Sequence, residues 1–399
     1  MSLRDQIEHE IRKSGPIPFS RFMEICLYDP VAGYYSRHAQ QFGKAGDFYT
    51  SSDVHAVFGR LLARQFEEMW QVLGRPQQIE ILELGPGRGL FARDVLDWSK
   101  KKFPDFFAAT KYTLQESSPA LQARLEETLA DHIASGRVAL AFLPAQPAER
   151  RPREGRLIEA RPNAAIHRAC PPETPLIIFA NEFFDALPVE ILSAQGELHL
   201  ALEADRLKEI WLPSTPEEFD FLDRFSVHPE AYETGNERIE VPLAAQRWIA
   251  QAATAVQRGF LVVVDYGYTR AEQQAGRHRG TLMAFRQHSA SPNPYEAPGE
   301  QDLTAHVNLT ALTAAAESAG MKVEHLVTQS QFLFGIGEKT QFADAFEDCR
   351  IPQEQAKVAL QLKHLVTPAG MGETFQVLIA SRNVDEENLS RLSGLSFAK

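Results

Sequence analysis

The sequence predicts an α/β protein in which helices cover a largely parallel sheet. Three observations carry that expectation. From residue 78 onward, short apolar runs alternate with amphipathic stretches: QIEILELG, GLFARDVLDWSKKKF, YTLQE, then PALQARLEETLADHIASG. Alternation of this kind implies strands joined by crossover helices. Two later runs, LIIFA (176–180) and GFLVVVDYG (259–267), are apolar enough to be buried strands. Finally, the first strand runs into a glycine-rich turn, ELGPGRG, that opens a helix.

Residues 1–75 read as a helical N-terminal extension, placed as a lid. DQIEHEIRKSGPIPFSRFMEICLYDP gives two short helices broken at Gly15-Pro16. VFGRLLARQFEEMWQVLG (57–74) gives a third, with Phe58, Leu61, Leu62, Phe66, Met69 and Trp70 at helical spacing. Gly74 and Pro76 end it. Between them lies an aromatic, glycine-rich loop, GYYSRHAQQFGKAGDFYTSSDVH.

Residues 76–190 form the first part of the core. The helix after the glycine turn carries Phe91, Val95 and Trp98 on one stripe. The stretch 137–172 is rich in Pro, Arg and Ala and reads as irregular, with a strand placed no further than VALAFL. Residues 191–258 read as an α+β insert: a hairpin (GELHLALEADRLKEIWL), ERIEVPL, and the helix AAQRWIAQAATAVQ. Residues 259–399 return to the core pattern. Its helix NLTALTAAAESAG has Asn308 as cap and Gly320 as stop. KVEHLVTQ and FQVLIASR are the closing strands.

At 399 residues the chain can bury one large core or two modest ones. A hydrophobic content of 44% and a charged content of 24% are those of a soluble globular protein. A formal charge of −12 argues against nucleic acid as partner and leaves room for a basic one, including a peptide carrying Arg. Cys26, Cys170 and Cys349 are far apart, so no zinc or redox motif, and no metal, is expected. Sparse cysteines suit a reducing compartment. The N-terminal MSLRDQIEHEIRKSG carries acids, unlike a signal or transit peptide, so a cytoplasmic location is expected. No run approaches the ~20 apolar residues that span a membrane.

The glycine turn points to a cofactor. Gly85, Gly87 and Gly89, with Pro86 among them, let a ligand approach the helix N-terminus without a Cβ in the way. The dinucleotide pattern G-x-G-x-x-G fails, because position 90 is Leu. Glu83, just before the glycines, suits a ligand with a cationic amino-acid end and no phosphates, namely S-adenosylmethionine. Glu116, closing the second strand, is placed for its ribose hydroxyls. A chance glycine-rich turn is the bland alternative.

GPIPFSRFMEICLYDPVAGYYS, GKAGDFYTSSDVHAVFG, ILELGPGRG, NEFFDALPVE, VVVDYGY, GTLMAF, PGEQDLTAHVN and GMGETF resemble, in order, the signature blocks of the MidA family of class I S-adenosylmethionine methyltransferases. That family includes a mitochondrial complex I assembly-factor methyltransferase. The resemblance runs through nearly the whole chain, departing at 137–172. It implies a Rossmann-like seven-stranded class I methyltransferase sheet with added helices and an insert. It also implies protein-arginine methylation, with a core subunit of NADH dehydrogenase as candidate partner, and a homodimer by analogy.

NEFFDALPVE then acquires a chemical reading. Arginine is a poor nucleophile, being always protonated and delocalised. Carboxylates bound to two of its nitrogens enrich the third and fix its plane. Glu182 and Asp185 follow a core strand, where open α/β sheets bind substrates. They are the catalytic candidates. Phe183 and Phe184 would exclude water or stack on the guanidinium. The bland alternatives are that Asp185 caps a helix, that Glu182 is solvated and that a Phe is simple core. Glu190, past Pro188, reads as surface.

The remaining candidates are Asp47 and Thr50 over the cofactor, with Ser51 beside them, and Asn181 with the cofactor at the strand end. Asp265, Tyr266 and His306 are placed on the substrate side, with His288 a further histidine of the same polar stretch. Ordinary turns and structural histidines are their alternatives. Two other functions stay open: methyl transfer to a small molecule or another side chain, and a non-catalytic assembly chaperone that binds a client.

Overall fold

The structure is a computed structural model that describes residues 2–37, 56–142, 166–204, 206–231, 237–277, 280–286, 289–291 and 293–398. Its main sheet contains β1 (Ile79–Leu84), β2 (Thr110–Glu116), β3 (Val138–Phe142) and β4 (Leu176–Asn181). A smaller sheet is built from β5 (Glu190–Ser193), β6 (Gly196–Glu203), β7 (Arg206–Leu212) and β8 (Ile239–Val241). The main sheet resumes with β9 (Gly259–Tyr268), β10 (Lys322–Thr328) and β11 (Phe375–Arg382). Its order is β10-β11-β9-β4-β1-β2-β3. The pairs β9·β4, β4·β1, β1·β2 and β2·β3 are parallel, whereas β11 runs antiparallel to both its neighbours. VALAF of the run VALAFL, the strand the sequence reading placed, is thus the edge strand β3, beside β2. Residues 143–165 lie outside the described residues.

Both faces of the sheet are covered. On one, α3 (Val57–Val72) and α4 (Leu90–Lys102) pack in a single apolar cluster with β1, β2 and β4. Phe58, Leu61, Leu62, Phe66 and Met69, the helical stripe read from the sequence, are fully buried. Phe91 of α4 stacks on Phe179 of β4 with centroids 4.5 Å apart, and Phe66 of α3 meets Phe179 edge-on at 5.6 Å. Contacts of this kind add about 1 kcal/mol each beyond burial. On the other face lie α5 (Leu243–Ala255) and α6 (Leu309–Ser318). The Asn308 side chain caps α6, accepting from the Ala311 amide at 3.0 Å. Gly320, at φ +90°, takes the left-handed turn that ends it.

The boundaries drawn from sequence shift accordingly. Residues 57–72 belong to the main layer rather than to the extension, and 243–255 cover the main sheet rather than the insert. The true extension, α1 (Leu3–Ser14) and α2 (Phe19–Tyr28), packs on the insert. Between them Ile17–Pro18 pairs antiparallel with β6, adding a strand to the smaller sheet. Periodicity shows that a helix forms; it does not show which core the apolar stripe will join.

β1 is buried along its whole length yet carries two acids. A buried carboxylate needs partners. Glu80 finds the Thr113 hydroxyl at 2.7 Å, the Ala169 amide at 2.7 Å and Arg168 Nε at 3.0 Å. Those bonds fix residues 168–170 against the sheet. Glu83 accepts from the Tyr112 hydroxyl at 2.8 Å.

Candidate active site

The glycine turn forms where β1 meets α4. Gly85, Gly87 and Gly89 have φ of +64°, +54° and +74°, a region that side-chain-bearing residues avoid. The Gly85 amide donates to the Gln115 carbonyl at 3.1 Å, and the Gly89 amide to the Pro86 carbonyl at 2.9 Å. Gly85 itself is exposed, while Pro86 is buried beneath the turn. A Cβ at Gly87 would meet nothing within 4 Å, so space is open above it. Glu116, at the end of β2, accepts from the Ser117 and Ser118 amides at 2.8 and 2.9 Å, and from the Gly87 amide. Burial nevertheless raises it to about 7. Glu83 lies below the turn, raised by burial to about 8. Its carboxylate is turned onto Tyr112, which makes it a support for the turn rather than an open wall.

The second half of the site is the loop after β4. Glu182 adopts φ +49°, unusual for a residue with a side chain and costing on the order of 1 kcal/mol or more. It is held there by its amide, which donates to the Val264 carbonyl at 2.9 Å. The Phe183 and Phe184 amides donate to Asp265 Oδ2 at 3.3 and 2.9 Å, and the Tyr266 amide to Asp265 Oδ1 at 2.9 Å. Asp265 is fully buried, 0% exposed. The expectation of a substrate contact is corrected here: a carboxylate sealed on backbone amides anchors the loop. Phe184 is likewise core, packed with Leu84 and Ile178. Phe183 is the aromatic at the mouth, edge-on to Trp248 at 5.4 Å and lying over Gly85.

Asp185 sits in a turn and caps no helix. Its Oδ2 accepts from the Tyr266 hydroxyl, and its carbonyl accepts from the Ala305 amide at 2.9 Å. Its Oδ1 is buried and takes no hydrogen bond among the described residues. Burial raises the carboxyl to about 6, against the Tyr266 bond and, less strongly, the nearby Ala186 and Asp185 amides, which lower it. Glu182 Oε1 accepts from the Asn181 side-chain amide at 3.1 Å. The Asn181 Oδ1 is buried with no hydrogen-bond partner among the described residues. His306 meets the Tyr266 ring edge-on at 5.3 Å. Asp47, Thr50, Ser51 and His288 lie outside the described residues.

Four residues of this neighbourhood escaped the sequence reading. Tyr28, at the end of α2, donates to the Ala186 carbonyl at 2.9 Å. Tyr35 donates to Asp302 Oδ1 at 3.1 Å, and its carbonyl accepts from the Ser118 hydroxyl at 2.5 Å. Thr304 meets the Tyr266 hydroxyl. The segment from Tyr28 to Tyr35 thus touches both the glycine-turn side and the acidic-loop side. The sole hint in the sequence is the density of tyrosine in LYDPVAGYYS. Glu190 is also corrected. It is mostly buried rather than on the surface, faces Ser20, Glu197 and Glu218, and burial raises it to about 8.

The cleft fits S-adenosylmethionine. Gly85 is exposed at the rim beside Phe183, space lies free above Gly87, Glu116 closes the side, and the orphaned Asn181 side-chain carbonyl is an acceptor for a donor group. Among the described residues no group of His, Cys, Asp and Glu is arranged to hold a metal ion.

Comparison with known proteins agrees with this geometry. Residues 61–327 match the model of the S-adenosyl-L-methionine-dependent methyltransferase family Methyltransf_28. A Drosophila melanogaster relative, "Protein arginine methyltransferase NDUFAF7 homolog, mitochondrial", is 29% identical, covering 100% of this chain and 89% of its own. The Homo sapiens "Protein arginine methyltransferase NDUFAF7, mitochondrial" is 27% identical over 92% of this chain and 80% of its own. A Burkholderia thailandensis COG1565 superfamily member, crystallised with S-adenosyl-homocysteine, superposes with a TM-score of 0.77 at 25% identity, covering 100% of this chain and 95% of that one. The cytoplasmic expectation is withdrawn, since these curated relatives are named as mitochondrial. No helix among the described residues is long and apolar enough to cross a membrane. The chain belongs to this methyltransferase family and is an S-adenosyl-L-methionine-dependent enzyme.

Proposed function

We propose that this methyltransferase acts on an arginine side chain of a protein, with a core subunit of respiratory NADH dehydrogenase as the candidate acceptor. The observation that carries the reading is Asp185. It is a buried carboxylate at the carboxyl end of β4 that forms no ion pair with Lys, Arg or His among the described residues. Such a group favours a cation delivered by a ligand. The names of the relatives as protein arginine methyltransferases support the same acceptor class. The NADH dehydrogenase subunit and a homodimer rest on the family resemblance alone.

When bound, S-adenosylmethionine supplies an electrophilic methyl group on a sulfonium. Everything else falls to the chain. The glycine turn, Glu116 and Asn181 hold the cofactor. Phe183, between Gly85 and Trp248, keeps water from the junction of the two halves. Glu182 and Asp185 take the acceptor's N–H groups, fix its plane and draw positive charge away from the reacting nitrogen. Methyl transfer would turn the guanidinium into a methylguanidinium of the same charge and the sulfonium into a neutral thioether, so one N–H proton must leave the reacting nitrogen; Asp185 Oδ1 would accept it. With Asp185 raised to about 6, its carboxylate form is available at neutral pH.

The test is mass spectrometry of NADH dehydrogenase from cells with and without this protein. Loss of methylation at one arginine is expected. A mark that persists without the protein removes the candidate acceptor. Sedimentation of the purified chain reads the dimer.

A further inference from the structure

Asp185 and Asp302 come from distant parts of the chain, yet tyrosines connect them on two sides. Alternate residues of a strand share a face. In Asp302–Thr304 that puts Asp302 and Thr304 together, while Leu303 enters the apolar cluster of the N-terminal helices. Thr304 meets the hydroxyl of Tyr266, which donates to Asp185. Asp302 accepts from Tyr35, whose ring lies 5.5 Å from that of Tyr28. Tyr28 in turn bonds to the residue after Asp185. Burial pushes the Tyr28 hydroxyl well up, and the carboxylates of Asp185 and Asp302 push it further, which places both near that ring. Each of the two acids is only 3% exposed. The buried Asp185 Oδ1, without a hydrogen-bond donor among the described residues, is the observation that a donor-bearing ligand would explain.

We propose that Asp302 is the second carboxylate of the acceptor pocket, binding the cationic side chain together with Asp185 between the rings of Tyr28, Tyr35 and Tyr266. This inference rests on the arginine reading above and changes which acid shares the guanidinium. A guanidinium offers five N–H donors in a planar fork, more than one carboxylate can accept. Aromatic faces complete a site for a delocalised cation. Glu182 Oε1, by contrast, accepts from the side-chain amide of the neighbouring Asn181 at 3.1 Å. A pocket of two desolvated acids also discriminates against an uncharged isostere, which offers no positive charge to offset their burial.

The experiment is calorimetric titration of the full chain, saturated with S-adenosylhomocysteine, with Nα-acetylarginine amide and with its citrulline counterpart. The arginine probe is expected to bind and the citrulline probe to bind far more weakly. Asp302→Asn should weaken the arginine probe roughly thirtyfold or more while leaving S-adenosylhomocysteine affinity unchanged. Glu182→Gln should change it less. Wild-type affinity for the arginine probe in Asp302→Asn overturns the assignment and leaves the arginine reading standing. If Asp302→Asn also loses S-adenosylhomocysteine, the milder Tyr35→Phe decides: a weakened arginine probe supports the proposal, and an unchanged one overturns it. A wild-type protein that binds arginine no better than citrulline removes both the arginine reading and this assignment.

Discussion

The ring of Phe183 covers Gly85: a Cβ built on the glycine would stand 2.8 Å from the ring's Cδ2. One residue of the acidic loop thus rests on the first residue of the cofactor turn. Gly85→Val must displace that ring and also force a branched residue to φ +64°, at a cost of about 1–2 kcal/mol for the backbone alone. Calorimetry with S-adenosylmethionine should show affinity falling roughly tenfold or more. Unchanged affinity would move the cofactor away from this turn.

Asp265 holds three backbone amides with one buried carboxylate. Asp265→Asn keeps the shape but turns an NH2 group toward one or more of those amides. Urea unfolding should show a loss on the order of 2 kcal/mol. Methyl transfer should fall with it, although Asp265 is sealed from any acceptor. A variant as stable and active as the parent would mean that the loop does not depend on this anchor.

Tyr266 donates to Asp185 and so lowers a carboxyl that burial has raised to about 6. Methyl transfer that needs the carboxylate form should decline as pH falls through about 6. Tyr266→Phe removes the lowering bond, so the acid limb of the kcat profile should move to higher pH. At neutral pH kcat should drop roughly tenfold, the scale of one lost hydrogen bond to a charged group. An acid limb that stays in place would exclude Asp185 as the titrating group.

Glu190 tests the sign of a buried acid in the insert. Its folded-state value, about 8, lies above the ordinary 4.5. Between those limits the folded state holds a proton that the unfolded state releases. Stability from this group is therefore full below about pH 4.5 and is lost as pH rises through about 8. Glu190→Gln cannot ionise. It should match the parent near pH 5 and exceed it near pH 9 by on the order of 1 kcal/mol. Denaturant midpoints at the two pH values make the comparison, and a constant difference would show that Glu190 ionises freely in the folded state.

What the sequence reveals of this molecule follows from range. β4 and β9 are readable because strands buried on both faces are continuous apolar runs, and β1 and β2 because they alternate with helical stretches. The glycine turn is readable because it is a local sequence of backbone requirements. Asp302 and Tyr35 are not, since 267 positions separate them and only the docking of the N-terminal helices against residues 283–305 brings them together. Asp265 and Asp185 look alike in sequence, each an acid near a strand end. One is an anchor and the other keeps an unsatisfied oxygen, a difference that depends on which amides happen to face each carboxylate. Glu190 reads as surface because nothing near Pro188 announces that α2 will fold over it.

The antiparallel strand β11 has a consequence for biosynthesis. It lies between β9 and β10, both of which leave the ribosome before it does. Until residues 375–382 emerge, the growing sheet has no partner on that flank of β9, and β10 has nowhere to pair. The nascent protein must carry that open apolar edge while residues 269–374 are made, the condition under which chains stick to one another. Completion of the sheet waits for β11, the last of its strands to be made, and a chaperone that shields the bare flank of β9 would act in that interval.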